Sequence, residues 1–181
     1  MKIRLYSTFG LIVLVTLAFA TSCTCGPYYA MPSWDQKLAC DTRTNCPRFL
    51  VLSNWNNDAV LDKETGLVWE KSPRIANTAW FDAQRLCNIL KIGNRMGWRL
   101  PTIQESMSLM DPSVPPSGPT LPAGHPFSNV AGELYWSATT TADDSSFALV
   151  ANFSNANITA YTKNTALRWW CVRGGQGVDP Q

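Results

Sequence analysis

Hydrophobic positions fall into three regimes along this chain. Phe9 to Ala20 is an uncharged apolar run behind Lys2 and Arg4. Residues 24 to about 47 show no periodicity and are rich in turn formers, with Cys-Gly-Pro, Met-Pro-Ser and Cys46-Pro. From residue 48 onward, apolar positions recur at short spacings that alternate between strand-like and helix-like.

In that third regime, Ala59–Asp62 and Leu67–Glu70 flank Lys63-Glu-Thr-Gly66. Two short apolar runs around a polar turn closed by glycine predict a hairpin. Asn77-Thr78 then opens a predicted helix, with Trp80, Ala83, Cys87 and Leu90 on one face, Asp82 in the first turn and Gly93 as the stop. The helical stripe turns Cys87 inward, and the dipole favours an anion at Asp82. Pro101-Thr102-Ile-Gln-Glu105 is a capping box that starts a second helix. In it, Thr102 and Glu105 each satisfy the other's backbone amide. Ile103, Met107 and Met110 supply that helix's apolar side, and Asp111-Pro112 its end. Six prolines and two glycines then make residues 112–126 a loop. Strands are predicted at Leu134–Ala138, Phe147–Phe153, Ile158–Tyr161 and Leu167–Arg173. Two helices followed by antiparallel strands is an α+β pattern.

Composition narrows the class. The 181 residues, 45% hydrophobic, support one domain. Charged residues make up 15%, below the ~25% of ordinary soluble domains, while Trp (8) and Pro (12) are plentiful. The apolar run at Phe9–Ala20 is too short for a membrane span of ~20 residues and suits the core of a signal peptide, so residues 1–22 are expected to be removed. Two cleavage readings stay open. Ala18-Phe-Ala20 suits an ordinary signal peptidase, leaving Thr21 first; Ala20-Thr-Ser-Cys23 resembles a bacterial lipobox, leaving an acylated Cys23. Lipidation at Cys23 is the favoured reading, with the protein at the cell envelope or surface; a periplasmic or secreted form is the alternative. Cleavage takes two of the 15 basic residues and none of the 13 acidic ones, so the mature chain carries no net charge. No polybasic run remains to bind nucleic acid.

The six cysteines are at 23, 25, 40, 46, 87 and 171. In an oxidising compartment, Cys87 on the first helix and Cys171 on the last strand are expected to bridge the two ends of the domain. Cys40 and Cys46 enclose a short polar loop that suits a local bridge, with no histidine nearby to make it a zinc site. If Cys23 is acylated, one thiol is left over, and the pairing of Cys25, Cys40 and Cys46 stays open.

The ordered segments resemble a known family. Thr65-Gly-Leu-Val-Trp-Glu-Lys71, Trp80 to Cys87, Trp98-Arg-Leu-Pro-Thr-Ile-Gln-Glu105, Leu109-Met-Asp111, His125-Pro-Phe127, Tyr135-Trp-Ser-Ala-Thr139 and Cys171-Val-Arg-Gly-Gly175 look like the Lcl C-terminal domain family. The resemblance spans roughly residues 55–175. It implies a compact C-type-lectin-like fold in exported bacterial proteins, one relative being the C-terminal domain of a collagen-like adhesin that binds sulfated glycans. This chain departs from that relative: it has no Gly-X-Y region, its mature charge is neutral, and it lacks the Glu-Pro-Asn or Gln-Pro-Asp tripeptide of calcium-dependent sugar binders. The resulting layout is a lead-in at 23–47, a domain at 48–175 and a tail at 176–181.

Catalytic patterns are missing from the sequence. His125 is the only histidine and lies in the proline-rich loop. No nucleophile elbow, phosphate-cradling loop or paired-carboxylate motif is present. Asn54-Trp-Asn-Asn-Asp58 reads as a solvated turn rather than a calcium loop, and no metal or cofactor is expected. Trp69, Trp98 and Trp136 read as core. The polar, aromatic stretch near the C-terminus is the candidate ligand surface, with Asn155, Asn157, Tyr161, Arg168 and Trp170 as ligand-binding candidates. Alternation sends Trp169 to the side of Cys171 and Trp170 to the other. The leading expectation is a non-catalytic module that binds an extracellular glycan or protein. A structural or display scaffold without a dedicated ligand is the alternative, and an oxidase-type enzyme on a related fold comes third.

Overall fold

The computed structural model describes residues 48–174. The signal peptide at 1–22, acylation of Cys23, the lead-in at 23–47, the Cys40–Cys46 bridge and the tail at 176–181 lie outside the described residues. Ten strands and two helices run in the order β1 (Phe49–Val51), β2 (Ala59–Asp62), β3 (Val68–Glu70), β4 (Arg74–Thr78), α1 (Trp80–Asn88), β5 (Trp98–Arg99), α2 (Ile103–Ser108), β6 (Leu134–Thr140), β7 (Phe147–Asn152), β8 (Asn157–Thr162), β9 (Leu167–Trp169) and β10 (Val172–Arg173).

The predicted hairpin forms between β2 and β3, with Val60 opposite Trp69. Its turn is organised by Asp62, whose buried carboxylate accepts from Arg48 at 2.8 and 2.9 Å, from the Thr65 hydroxyl and from the Glu64 amide. Gly66 sits at φ 72°, a conformation that favours glycine. The strands form two five-stranded sheets, ordered β1-β2-β3-β10-β5 and β4-β9-β6-β7-β8. All pairings are antiparallel except β6 with β9, where Tyr135 lies opposite Arg168. The architecture is therefore α+β, as expected.

Alternation along three short stretches builds two apolar cores. Val68, Trp136, Trp169 and Cys171 enter one, together with Trp55, Trp80 and Trp98. Their chain neighbours Trp69, Tyr135, Trp170 and Val172 enter the other, together with Phe127 and Phe153. These strands are thus covered on both faces, which accounts for their unbroken apolar runs and for the low charge content. Trp69, Trp98 and Trp136 are core residues, as the sequence implied.

The bridge between Cys87 and Cys171 is present, with a Cα separation of 5.5 Å, and both residues are fully buried. It joins α1 to the segment between β9 and β10. The expected strand Leu167–Arg173 is in fact two strands: β9 belongs to the second sheet and β10 to the first. Trp170 and Cys171 make the switch between them, and Trp170 holds its place by donating its indole N–H to the Glu70 carbonyl at 2.6 Å.

Three local expectations change. Asn77 and Thr78 do not open α1; they end the exposed strand β4, and Ala79 is the helix N-cap without a side-chain hydrogen bond. Helix α1 stops at Asn88, well before Gly93, which instead lies at φ 54° where a Cβ would collide with Trp55. Helix α2 has the expected capping box, with Thr102 Oγ1 accepting from the Glu105 amide at 3.2 Å and Glu105 Oε2 accepting from the Thr102 amide at 2.8 Å. It ends at Ser108, however, so Met107 points outward at 45% exposure while Ser106 and Leu109 turn inward.

Candidate functional site

The second sheet carries a groove of about 310 Å³ on the residues that join β4, β9, β6, β7 and β8. Its apolar lining comes from Leu134, Leu167 and Tyr161, half-buried side chains packed against the first core. Its polar lining comes from Asn77, Asn152, Thr159 and the Arg168–Glu133 pair. Each side chain owes its place to strand register. Asn152 pairs with Leu134 and Asn157, and Tyr161 with Ala148. The parallel pairing of β9 with β6 brings Arg168 beside Glu133, which directly precedes β6.

That ion pair is two-pronged: Arg168 Nε donates to Glu133 Oε2 at 2.8 Å and Arg168 Nη2 to Oε1 at 3.2 Å. A fork-on-fork contact fixes orientation as well as charge. The hydrogen bond from Arg168 holds the Glu133 carboxyl below its ordinary range, and the same bond raises the guanidinium. Both groups are therefore kept ionised. Asn152 is braced too, its Oδ1 accepting from the amide and hydroxyl of Ser154.

Of the residues singled out from the sequence, Tyr161 and Arg168 line this groove. Asn155 and Asn157 do not; both are exposed, Asn155 in the turn after β7 and Asn157 at the start of β8, and Asn155 Oδ1 accepts from the Asn157 amide at 3.2 Å. Trp170 requires a correction. It points away from Cys171 as alternation demands, yet it is 1% exposed and buried among Trp69, Phe127, Tyr135 and Phe153. Its outward-facing role is ruled out because the second core covers that side. Asn77 and Glu133 were missed: Asn77 sat in what looked like a helix start, and Glu133 is joined to the groove only through a nonlocal pairing.

His125 is half-buried. Its ring stacks on Phe127 at 6.0 Å between centroids, its Nδ1 is buried without a hydrogen-bond partner among the described residues, and burial lowers its pKa. The sequence's Asn54–Asp58 turn contains a short helical turn, Ser53–Trp55, that drives Trp55 fully into the core while Asn56 and Asn57 stay exposed at positive φ. Among the described residues, no group of three or more His, Cys, Asp or Glu side chains is arranged to hold a metal ion. No helix among them is long and apolar enough to cross a membrane.

Residues 58–173 match the family model described as the Lcl C-terminal domain. No curated protein matches the chain.

Proposed function

The chain belongs to the Lcl C-terminal domain family, and from that premise we propose that it is an exported, surface-anchored module that binds an extracellular glycan or protein without transforming it. The observation that carries this reading is the groove on the second sheet. Its floor is apolar, its rim is amide and hydroxyl, and its one ion pair is locked by two hydrogen bonds. Proton transfer needs a group whose pKa lies near the working pH. Glu133 is pushed down and Arg168 up, so the pair suits orientation of a ligand and not acid–base chemistry.

A C-type-lectin-like fold is part of the proposal. Two sheets, a helix clasped to the closing strands by a disulfide, and a late strand pairing back onto an early one are consistent with it. Export is supported by the apolar run before Ala20 and by a buried disulfide, which persists in oxidising compartments. Acylation of Cys23 would supply the anchor.

The test is a glycan and protein array probed with the full chain and with a folded Tyr161→Ala, Arg168→Ala double variant. Capture of a ligand by the parent, lost by at least tenfold in the variant, is the expected result, tenfold being about 1.4 kcal/mol. Equal capture by both proteins removes the groove from the account. Capture of nothing by the parent favours the scaffold role.

A further inference from the structure

The second sheet ends on β8, and among the described residues no strand pairs with its outer side. Its residues Asn157-Ile-Thr-Ala-Tyr-Thr162 run in unbroken register against β7, from Asn157 opposite Asn152 to Thr162 opposite Phe147. Every one of them is exposed except Tyr161, which is half-buried.

Two hydrogen bonds fix which way the backbone of β8 points. The Lys163 amide donates to Ser146 O at 2.9 Å, so Tyr161, Thr159 and Asn157, at alternate positions, also turn their backbone groups toward β7. On the other side of β7, the Phe153 amide donates to Glu133 O at 2.9 Å. This turns Ala151 toward β6 and leaves its β8 partner Ile158 facing outward. Ile158, Ala160 and Thr162 therefore aim their amides and carbonyls away from the sheet. The Thr162 carbonyl accepts from the Thr165 amide at 2.9 Å and keeps a second lone pair.

An open edge is a template for another strand, and proteins ordinarily blunt it with a short strand, a charge, a proline or a bulge. The other three edges of the two sheets follow that rule. Strands β1 and β5 are three and two residues long, while β4 carries Arg74 and a break in register. Strand β8 has six residues, none of them charged or proline. Lys163, the next residue, does not guard it. Its Nζ donates to Thr140 Oγ1 at 3.0 Å and sits 4.1 Å from the centroid of the Trp80 ring, leaving the residue 9% exposed.

We propose that β8 is an interface on which a second copy of this chain pairs antiparallel, joining the two second sheets into one. The strand is complementary to itself. A two-fold axis at Ala160 uses every outward group and sets Ala160 opposite the partner's Ala160, Ile158 opposite the partner's Thr162, and Tyr161 opposite the partner's Thr159. Aromatic and aliphatic side chains thus meet β-branched ones, and no like charges face each other. The axis of such a pair stands perpendicular to the sheet, so facing residues point the same way. Thr159 and Tyr161 line the groove described above. The partner's Thr159 and Tyr161 then extend each groove, and both grooves open on one face. That last consequence rests on the groove as the binding site; the pairing does not.

The test is analytical ultracentrifugation of the full chain without ligand, so a failed groove leaves it untouched. A strand-to-strand contact sits at the weak end of interface sizes, and the concentration series therefore reaches about 1 mM. The parent is expected to pass from monomer to dimer. Ala160→Lys and Ala160→Glu each place like charges opposite one another across the axis, and each is expected to weaken the dimer at least tenfold. Mixing the two variants sets lysine against glutamate and is expected to restore it. Hydrogen exchange on the parent gives a readout that needs no variant: the Ile158 and Ala160 amides gain protection as concentration rises, while those of Thr159 and Tyr161 do not change. A parent that stays monomeric throughout overturns the proposal, as does a dimer that survives Ala160→Lys or a mixture that stays monomeric. Protection of Ala160 that is independent of concentration also overturns it, since a segment of the same chain would then occupy β8.

Discussion

Breaking the bond between Cys87 and Cys171 is expected to weaken this domain more than any single surface change. The two residues are 84 positions apart, and closing a loop of that length removes about 4–5 kcal/mol of unfolded-chain entropy in the chain-entropy model. Both sulfurs are fully buried beside Trp55, Trp98 and Trp169, so alanine at both positions adds a small cavity cost of roughly 1–2 kcal/mol. The two contributions separate experimentally. Reduction of the parent removes the cross-link and keeps the sulfur volume, whereas the Cys87→Ala, Cys171→Ala variant removes both. Urea unfolding followed by tryptophan fluorescence is suited to the comparison, because every tryptophan in the described residues is buried. The reduced parent should lose about 4 kcal/mol and melt roughly 12–20 °C lower, and the double variant should fall slightly further. A reduced parent within about 1 kcal/mol of the oxidised protein would refute the reasoning, since the cross-link would then contribute little to the unfolded-state constraint.

Other changes have defined directions. Glu70 has a folded pKa of about 7, above its ordinary 4.5, so the folded state holds a proton that the unfolded chain gives up between those values. Stability should therefore fall as pH rises from about 4.5 to about 7, and Glu70→Gln should be the more stable protein at about pH 8 by up to roughly 3 kcal/mol; equal denaturation midpoints at both pH values would contradict this. Thr102→Ala removes one half of the capping box and should cost about 1 kcal/mol, read from the urea midpoint. Gly93→Ala places a Cβ 2.6 Å from Trp55 Cα at φ 54°, and a loss of at least about 1 kcal/mol is expected; an unchanged melting temperature would show that the close approach is relieved.

The sequence revealed those features whose cause is local. The β2–β3 hairpin follows from its turn chemistry, the start of α2 from a reciprocal Thr102–Glu105 exchange, and the inward face of α1 from a helical stripe. What it concealed depends on distant neighbours. Strand β4 is exposed along most of its length, so its residues carry no alternating signal and Asn77-Thr78 resembled a helix start. The run Leu167–Arg173 looked like one strand because both of its halves are apolar, yet it crosses from one sheet to the other at Trp170 and Cys171. Alternation correctly separated Trp169 from Trp170 but could not show that Phe127, from the proline-rich stretch, closes over the second side. The groove was half legible for the same reason. Tyr161 and Arg168 stood out as an aromatic and a cation in a polar stretch, whereas Asn77 and Glu133 reach them only through the neighbouring of β4, β9 and β6.

Hydrogen–deuterium exchange on the full chain, with and without a ligand captured from the array, addresses the groove itself. Protection on ligand binding should concentrate on Thr159–Tyr161, Leu167–Arg168 and Glu133–Leu134, with the turn at Asn155–Ala156 changing less. Protection spread over the first sheet, with those three segments unchanged, would contradict the assignment of the groove as the binding site.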